Sequence, residues 1–281
     1  MKPGIYPAAI TPMVGGDIDV PSACRLLAHF ESKGCAGVVI AGTNGEGPSL
    51  AAVEKRDLIR SLAAVKGSLS LILGVMTSSL SEAIWLSTQA RKLGADGILL
   101  MPPMYFREAP ASGVCAWLEA VMSASQIETI LYNFPARSGF EFDADMLARL
   151  SRHEFCQGLK DSSGNPANLA EFREAMPGKS LFVGAEALLL DALEAGWQGS
   201  ISGLANSIPA WLVQIASERS EVKLGLASDV MKGLKSIPQP AGHKQVLERL
   251  GIIASSDVRL PLESAALPKD MFDRFSHLFR A

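Results

Sequence analysis

The chain has 281 residues, 48% hydrophobic and 20% charged, with a net charge of −3. That composition excludes a disordered chain. Without a basic patch it also argues against a nucleic-acid binder. No stretch is apolar for long enough to span a bilayer, and no charged leader precedes an apolar run, so a cytoplasmic protein with no membrane partner is expected. The length suits one α/β barrel better than one open sheet.

Residues 5–10 read as a first strand, closed by Thr11-Pro12. A helix starts at Pro21 behind Asp19 and stops at Gly34. Residues 37–41 form a continuous apolar run, as expected of a strand buried on both faces. A glycine-rich turn and a helix over 49–65 follow. The alternation then repeats: strand 71–74, helix 79–93, strand 97–101, helix 112–123, strand 129–132, helix 143–150. It ends with strand 155–160, helix 168–176, strand 181–184, helix 187–195 and a short strand at 199–202. Eight strand–helix units predict one closed (β/α)8 TIM barrel over 1–207. Residues 208–281 show helical patterns near 209–218, 221–234, 244–250 and 269–279 and no new strand, which predicts a helical extension packed on the barrel.

The four cysteines, Cys24, Cys35, Cys115 and Cys156, include no C-x-x-C pair and are expected to be reduced. The four histidines show no ligand spacing, so no metal is expected.

Barrel enzymes carry their chemistry at the C-terminal ends of the strands. Lys160 stands there, at the end of the sixth strand in Gly158-Leu159-Lys160-Asp161. Burial disfavours a charged ammonium, and a neutral amine attacks ketones to form Schiff bases. Taken alone, the residue fits better a lysine leaving a strand for solvent; the rest of the sequence reverses that. Three further stretches share that face. Gly42-Thr43-Asn44-Gly45-Glu46-Gly47 follows the second strand and offers backbone N–H groups to an anion, or is a plain turn. Tyr132 ends the fifth strand, and Tyr105 follows the fourth; the chain has only three tyrosines. Either could instead be a core or a surface aromatic.

Together these residues resemble the dihydrodipicolinate synthase / N-acetylneuraminate lyase family of pyruvate-dependent class I aldolases. The shared elements are Gly42-Thr43-Asn44-Gly45-Glu46, Tyr132-Asn133-x-Pro135 and Gly158-x-Lys160-Asp161, in order. Val183-Gly184-Ala185-Glu186 and Gly199-Ser200-Ile201-Ser202-Gly203 are also similar, so the resemblance runs over nearly the whole chain. It implies that Lys160 forms an imine with pyruvate C2 and that Tyr132 shuttles protons. Thr43 would link Tyr132 to Tyr105 and, with Asn44, hold the pyruvate carboxylate. Gly184 and Ile201 would line the pocket. In the synthase branch the residue at Tyr105 comes from a neighbouring subunit, which implies a homodimer or homotetramer.

Some positions depart from the synthase pattern. Asn44 replaces a second threonine and is similar to the turn of 4-hydroxy-2-oxoglutarate aldolases. Met104 replaces a tyrosine. Arg137 pulls the other way, because synthases use an arginine here to hold the carboxylate of aspartate semialdehyde. The bland alternative is a salt bridge from Arg137 to Glu141 or Asp143. The expected function is condensation of pyruvate with aspartate semialdehyde, with no cofactor beyond the lysine. The alternatives are cleavage of 4-hydroxy-2-oxoglutarate or a 2-keto-3-deoxy sugar acid, and a non-catalytic paralogue that binds a 2-oxo acid.

Overall fold

The computed structural model describes residues 1–268 and 270–281. Strand β1 spans Gly4–Pro7, and a short antiparallel hairpin of β2 (Met13–Val14) and β3 (Asp17–Ile18) follows it. Helix α1 (Val20–Ser32) begins where the sequence predicts: the Asp19 carboxylate accepts from Ser22 N at 3.1 Å. Then come β4 (Gly37–Ile40), α2 (Ala52–Ala63), β5 (Ser70–Val75), α3 (Leu80–Lys92), β6 (Gly97–Leu100), α4 (Ala111–Ser125) and β7 (Thr129–Asn133). The one-turn helix α5 (Pro135–Ser138) precedes α6 (Ala144–Leu150). The barrel continues with β8 (Cys156–Asp161), α7 (Ala167–Ala175), β9 (Ser180–Val183), α8 (Leu189–Glu194) and β10 (Gly199–Ser202).

Eight parallel strands run in the order β1-β10-β9-β8-β7-β6-β5-β4. The circle closes where β1 meets β4: Ala36 N donates to Ile5 O at 3.0 Å, and Ala9 N donates to Val39 O at 2.8 Å. This is the expected (β/α)8 architecture. Side chains alternate across each strand. Val39, Ile72, Leu99, Ile130 and Phe182 pack inside the barrel, while Val38, Leu71, Ile98, Leu131 and Leu181 pack outward against the helices. The same alternation aims Tyr132 and Lys160 inward. Their strands pair in register, Tyr132 beside Lys160 and Asn133 beside Asp161.

Helix α9 (Pro209–Glu218) packs against β1 and α8 as the barrel's eighth outer helix. A boundary at 207/208 therefore assigns to the extension a helix that closes the barrel. Beyond it lie α10 (Glu221–Leu234), α11 (Ala241–Arg249) and α12 (Met271–Phe279). Position 269, where the last predicted helix begins, lies outside the described residues. Among the described residues no helix is long and apolar enough to cross a membrane.

Candidate active site

Lys160 is 5% exposed, and its Nζ donates to the Tyr132 hydroxyl at 3.2 Å. The same Nζ lies 4.3 Å from the centroid of the Tyr132 ring. Tyr132 Oη in turn lies 3.5 Å from Thr43 Oγ1, the long end of hydrogen-bond range. Amine, phenol and hydroxyl thus form one line across the barrel mouth. Among the described residues Lys160 has no carboxylate within ion-pair distance. Asp161 points to the opposite face, as strand alternation requires. Its carboxylate accepts from Asn133 Nδ2 (2.8 Å), Ser163 N (3.0 Å) and the Ser163 hydroxyl (2.8 Å). Asn133 Oδ1 also accepts from Phe142 N at 3.2 Å. Asn133 and Asp161 therefore fix the ends of β7 and β8 and so set the spacing of the two inward residues.

The turn after β4 is strained. Ala41 and Glu46 both take positive φ, 51° and 55°. A Cβ at Gly47 would fall 1.9 Å from Ala41 O, so only glycine fits there. The Glu46 carboxylate holds the turn. It pairs with Lys244 Nζ at 2.5 Å, both side chains 0% exposed, and accepts from Arg259 N at 2.7 Å. Arg259 is itself held by two 2.8 Å bonds to Glu54, which keep the Glu54 carboxyl below its usual range. Among the described residues no acceptor takes the N–H of Thr43 or Asn44.

A cavity of about 330 Å³ opens over Lys160, Tyr132, Thr43 and Asn44, with Gly184 and Ile201 in its wall. Arg137 stands at its rim on α5. Arg137 forms no salt bridge among the described residues, and Asp143 instead caps α6, accepting from Met146 N at 2.8 Å. Tyr105 is the exception among the expected residues. It is 79% exposed on the loop after β6, edge-to-face with Phe106 at 5.2 Å, and does not line the cavity. That loop runs outward, so one chain does not bring Tyr105 to Thr43.

The sequence model of the Dihydrodipicolinate synthetase family matches residues 1–276. The chain belongs to this family. It is 30% identical over 277 residues to the 4-hydroxy-tetrahydrodipicolinate synthase of Pseudoalteromonas atlantica, covering 95% of this chain and 94% of that protein. The synthase of Moorella thermoacetica is 32% identical over 279 residues, covering 93% and 92%. Among solved structures, dihydrodipicolinate synthase from Cyanidioschyzon merolae with lysine bound superposes with a TM-score of 0.89 at 26% identity, covering 98% of this chain and 96% of that one. The enzyme from Aquifex aeolicus gives 0.90 at 25% identity, covering 99% and 100%.

In this member of the dihydrodipicolinate synthetase family, the far wall of the cavity comes from residues that motif reading passed over. Lys235, Gln239 and His243 reach it from the end of α10, the following loop and α11. His243 is 2% exposed, and burial pushes its imidazole down to about 4, so the ring is neutral. No local pattern marks these residues. Helical periodicity at 241–249 shows a face but not what it covers. Glu46 sat within the recognised turn, but its partner lies about two hundred residues further on.

Proposed function

We propose that the protein is a pyruvate-dependent synthase that joins pyruvate to aspartate semialdehyde through a Schiff base on Lys160. One observation carries this reading. A buried lysine with no carboxylate partner among the described residues opens onto a cavity and touches a tyrosine hydroxyl at 3.2 Å. The amine of Lys160 adds to C2 of pyruvate, and the carbinolamine loses water to give the imine. Tyr132, within reach of both Lys160 and Thr43, supplies and recovers the protons of these steps. The pyruvate carboxylate takes the N–H groups of Thr43 and Asn44 and the Thr43 hydroxyl, while Gly184 and Ile201 give the wall of the cavity. Loss of a proton from C3 makes an enamine, which attacks the aldehyde.

Arg137, without a salt-bridge partner among the described residues, holds the carboxylate of that aldehyde with its planar fork of donors. A charged hydrogen bond is worth about 1.5–3 kcal/mol. Arg137→Ala therefore lowers kcat/KM with aspartate semialdehyde roughly ten- to a hundredfold, and leaves the rate with glyceraldehyde unchanged. An equal loss with both aldehydes removes Arg137 from acceptor recognition and favours a sugar-acid aldolase.

Exposed Tyr105 and Phe106 support assembly into a homo-oligomer. In that assembly Tyr105 of one copy completes the proton path from Thr43 of another. Sedimentation of the wild type and of Tyr105→Asp tests this; a monomeric, fully active wild type contradicts it.

A further inference from the structure

The Thr43 hydroxyl has a neighbour that pyruvate chemistry does not use. Strand β5 turns Ile72, Gly74 and then Met76 inward by alternation. A Cβ at Gly74 would fall 2.6 Å from Ala41 O, so the strained turn after β4 lies directly on β5. The next inward residue, Met76, thereby reaches that turn, and its Sδ lies 3.9 Å from Thr43 Oγ1. A thioether accepts weakly and donates nothing, so Thr43 is the donor in this contact. The single proton of Thr43 therefore has two acceptors to choose between, Met76 Sδ and Tyr132 Oη.

The choice stays open while the sulfur is a thioether. A weak acceptor holds the proton loosely, and Thr43 turns to Tyr132 once the phenol has given its own proton away. A sulfoxide is polar and its oxygen accepts strongly. Set between the sulfur and Thr43, that oxygen would keep the proton and leave a Tyr132 phenolate without its donor. The 3.9 Å separation exceeds an O–H···O bond of roughly 2.5–3.0 Å by enough to seat an oxygen on the sulfur. Met76 is 5% exposed, and it shares one apolar cluster with Met101 and half-buried Met104. Thioethers thus run from the surface to Thr43. The thiols compete poorly for an oxidant. Burial pushes Cys35 up to about 12 and Cys156 up to about 11, and it raises Cys115 too, so little thiolate forms.

We propose that Met76 is a reversible oxidation site, and that its sulfoxide stalls proton transfer through Thr43 and Tyr132. This rests on the proton path proposed above. The oxidant is hydrogen peroxide. A lone pair of the sulfur attacks one peroxide oxygen, and the O–O bond breaks with its electrons on the departing hydroxide. That hydroxide takes the proton left on the transferred oxygen and leaves as water. The sulfur loses two electrons and the peroxide gains them. A methionine sulfoxide reductase reverses the step, with a dithiol oxidised to a disulfide and the oxygen released as water. Met76 does not line the cavity, so pyruvate keeps its place and the change falls on kcat.

The test treats purified enzyme with hydrogen peroxide and follows one added oxygen on the peptide that carries Met76. As that mass grows, kcat falls roughly ten- to a hundredfold, the worth of a hydrogen bond to a charged group. KM for pyruvate and the melting temperature stay near their untreated values, which a steric block or a loosened fold would move. Methionine sulfoxide reductase with dithiothreitol restores kcat. In Met76→Leu, a swap of similar volume, the ratio of treated to untreated kcat stays near one. Loss and rescue that track the mass on Met76 serve if this variant does not fold. Full kcat with Met76 oxidised, no oxygen on Met76 at a dose that oxidises Met104, or an equal loss in Met76→Leu overturns the switch. Full turnover in Tyr132→Phe overturns the underlying proton path instead.

Discussion

Lys160 and Lys244 are both buried lysines of the barrel mouth, and they are built in opposite ways. Lys244 is sealed: its side chain is 0% exposed, Glu46 lies 2.5 Å away, and the Asp257 carbonyl accepts from the same ammonium. Burial pulls the Lys244 ammonium below its usual range, while Glu46 pushes back. Lys160 is 5% exposed and has a phenol where Lys244 has a carboxylate. A paired carboxylate holds a buried lysine charged and inert. A lysine without one, facing a cavity, is placed to react with a carbonyl. Burial alone therefore does not mark the chemical residue; the identity of the partner does.

The contrast breaks most visibly in two single substitutions. Lys160→Ala removes turnover to background while the melting temperature stays near wild type, because backbone pairing of β8 with its neighbours is untouched. Tyr132→Phe retains the imine lysine and loses roughly 10²–10⁴ in kcat, the usual worth of a general acid–base group. Near wild-type turnover in Tyr132→Phe takes the tyrosine out of the mechanism. Lys244→Met works the other way. It leaves Glu46 buried without its cation and lowers stability by about 3–5 kcal/mol, as read by urea denaturation, and Glu46→Gln in the same chain restores much of the loss. Unchanged stability in Lys244→Met would show that the sealed pair is no anchor.

The smallest effect sharpens the role of the wall beside Lys244. His243 has its imidazole near 4 in the fold against an ordinary 6.5. Between those values the unfolded chain binds a proton that the folded chain does not. Stability is thus full above about pH 6.5 and falls as the pH drops toward 4, by up to about 1.4 kcal/mol per pH unit for one such group. His29, also pushed down to about 4 by burial, adds a slope of the same sign. In His243→Leu the fall between pH 6.5 and 4 becomes shallower by one proton and leaves the His29 share. An unchanged slope would show that His243 titrates normally in the fold.

The barrel was legible in the sequence because each buried parallel strand is a short apolar run ended by turn residues, as at 37–41 and 97–101. Lys160, Tyr132 and Thr43 were legible because each ends or follows such a run, and strand alternation does the rest. The tail was less so. The hairpin at 13–18 is too short for a periodic signal, and the helix at 209–218 reads as the start of an extension until its packing on β1 is seen. Tyr105 follows the fourth strand on the same face, but position along the chain does not fix where an exposed loop points, and within one chain it stays outside the cavity. Lys244 and His243 were illegible because each finds its partner on another segment, Glu46 about two hundred residues back and Ser207 before α9; Gln239 bonds only the nearby Leu234 O, and no local pattern shows that its segment reaches the cavity.

Treatment of the protein with pyruvate and borohydride, followed by peptide mass mapping, tests the contrast between the two lysines most directly. One pyruvate-derived mass on the peptide that carries Lys160, and none on the peptide that carries Lys244, is the result predicted. Labelling of Lys244, or no labelling at all, would contradict it.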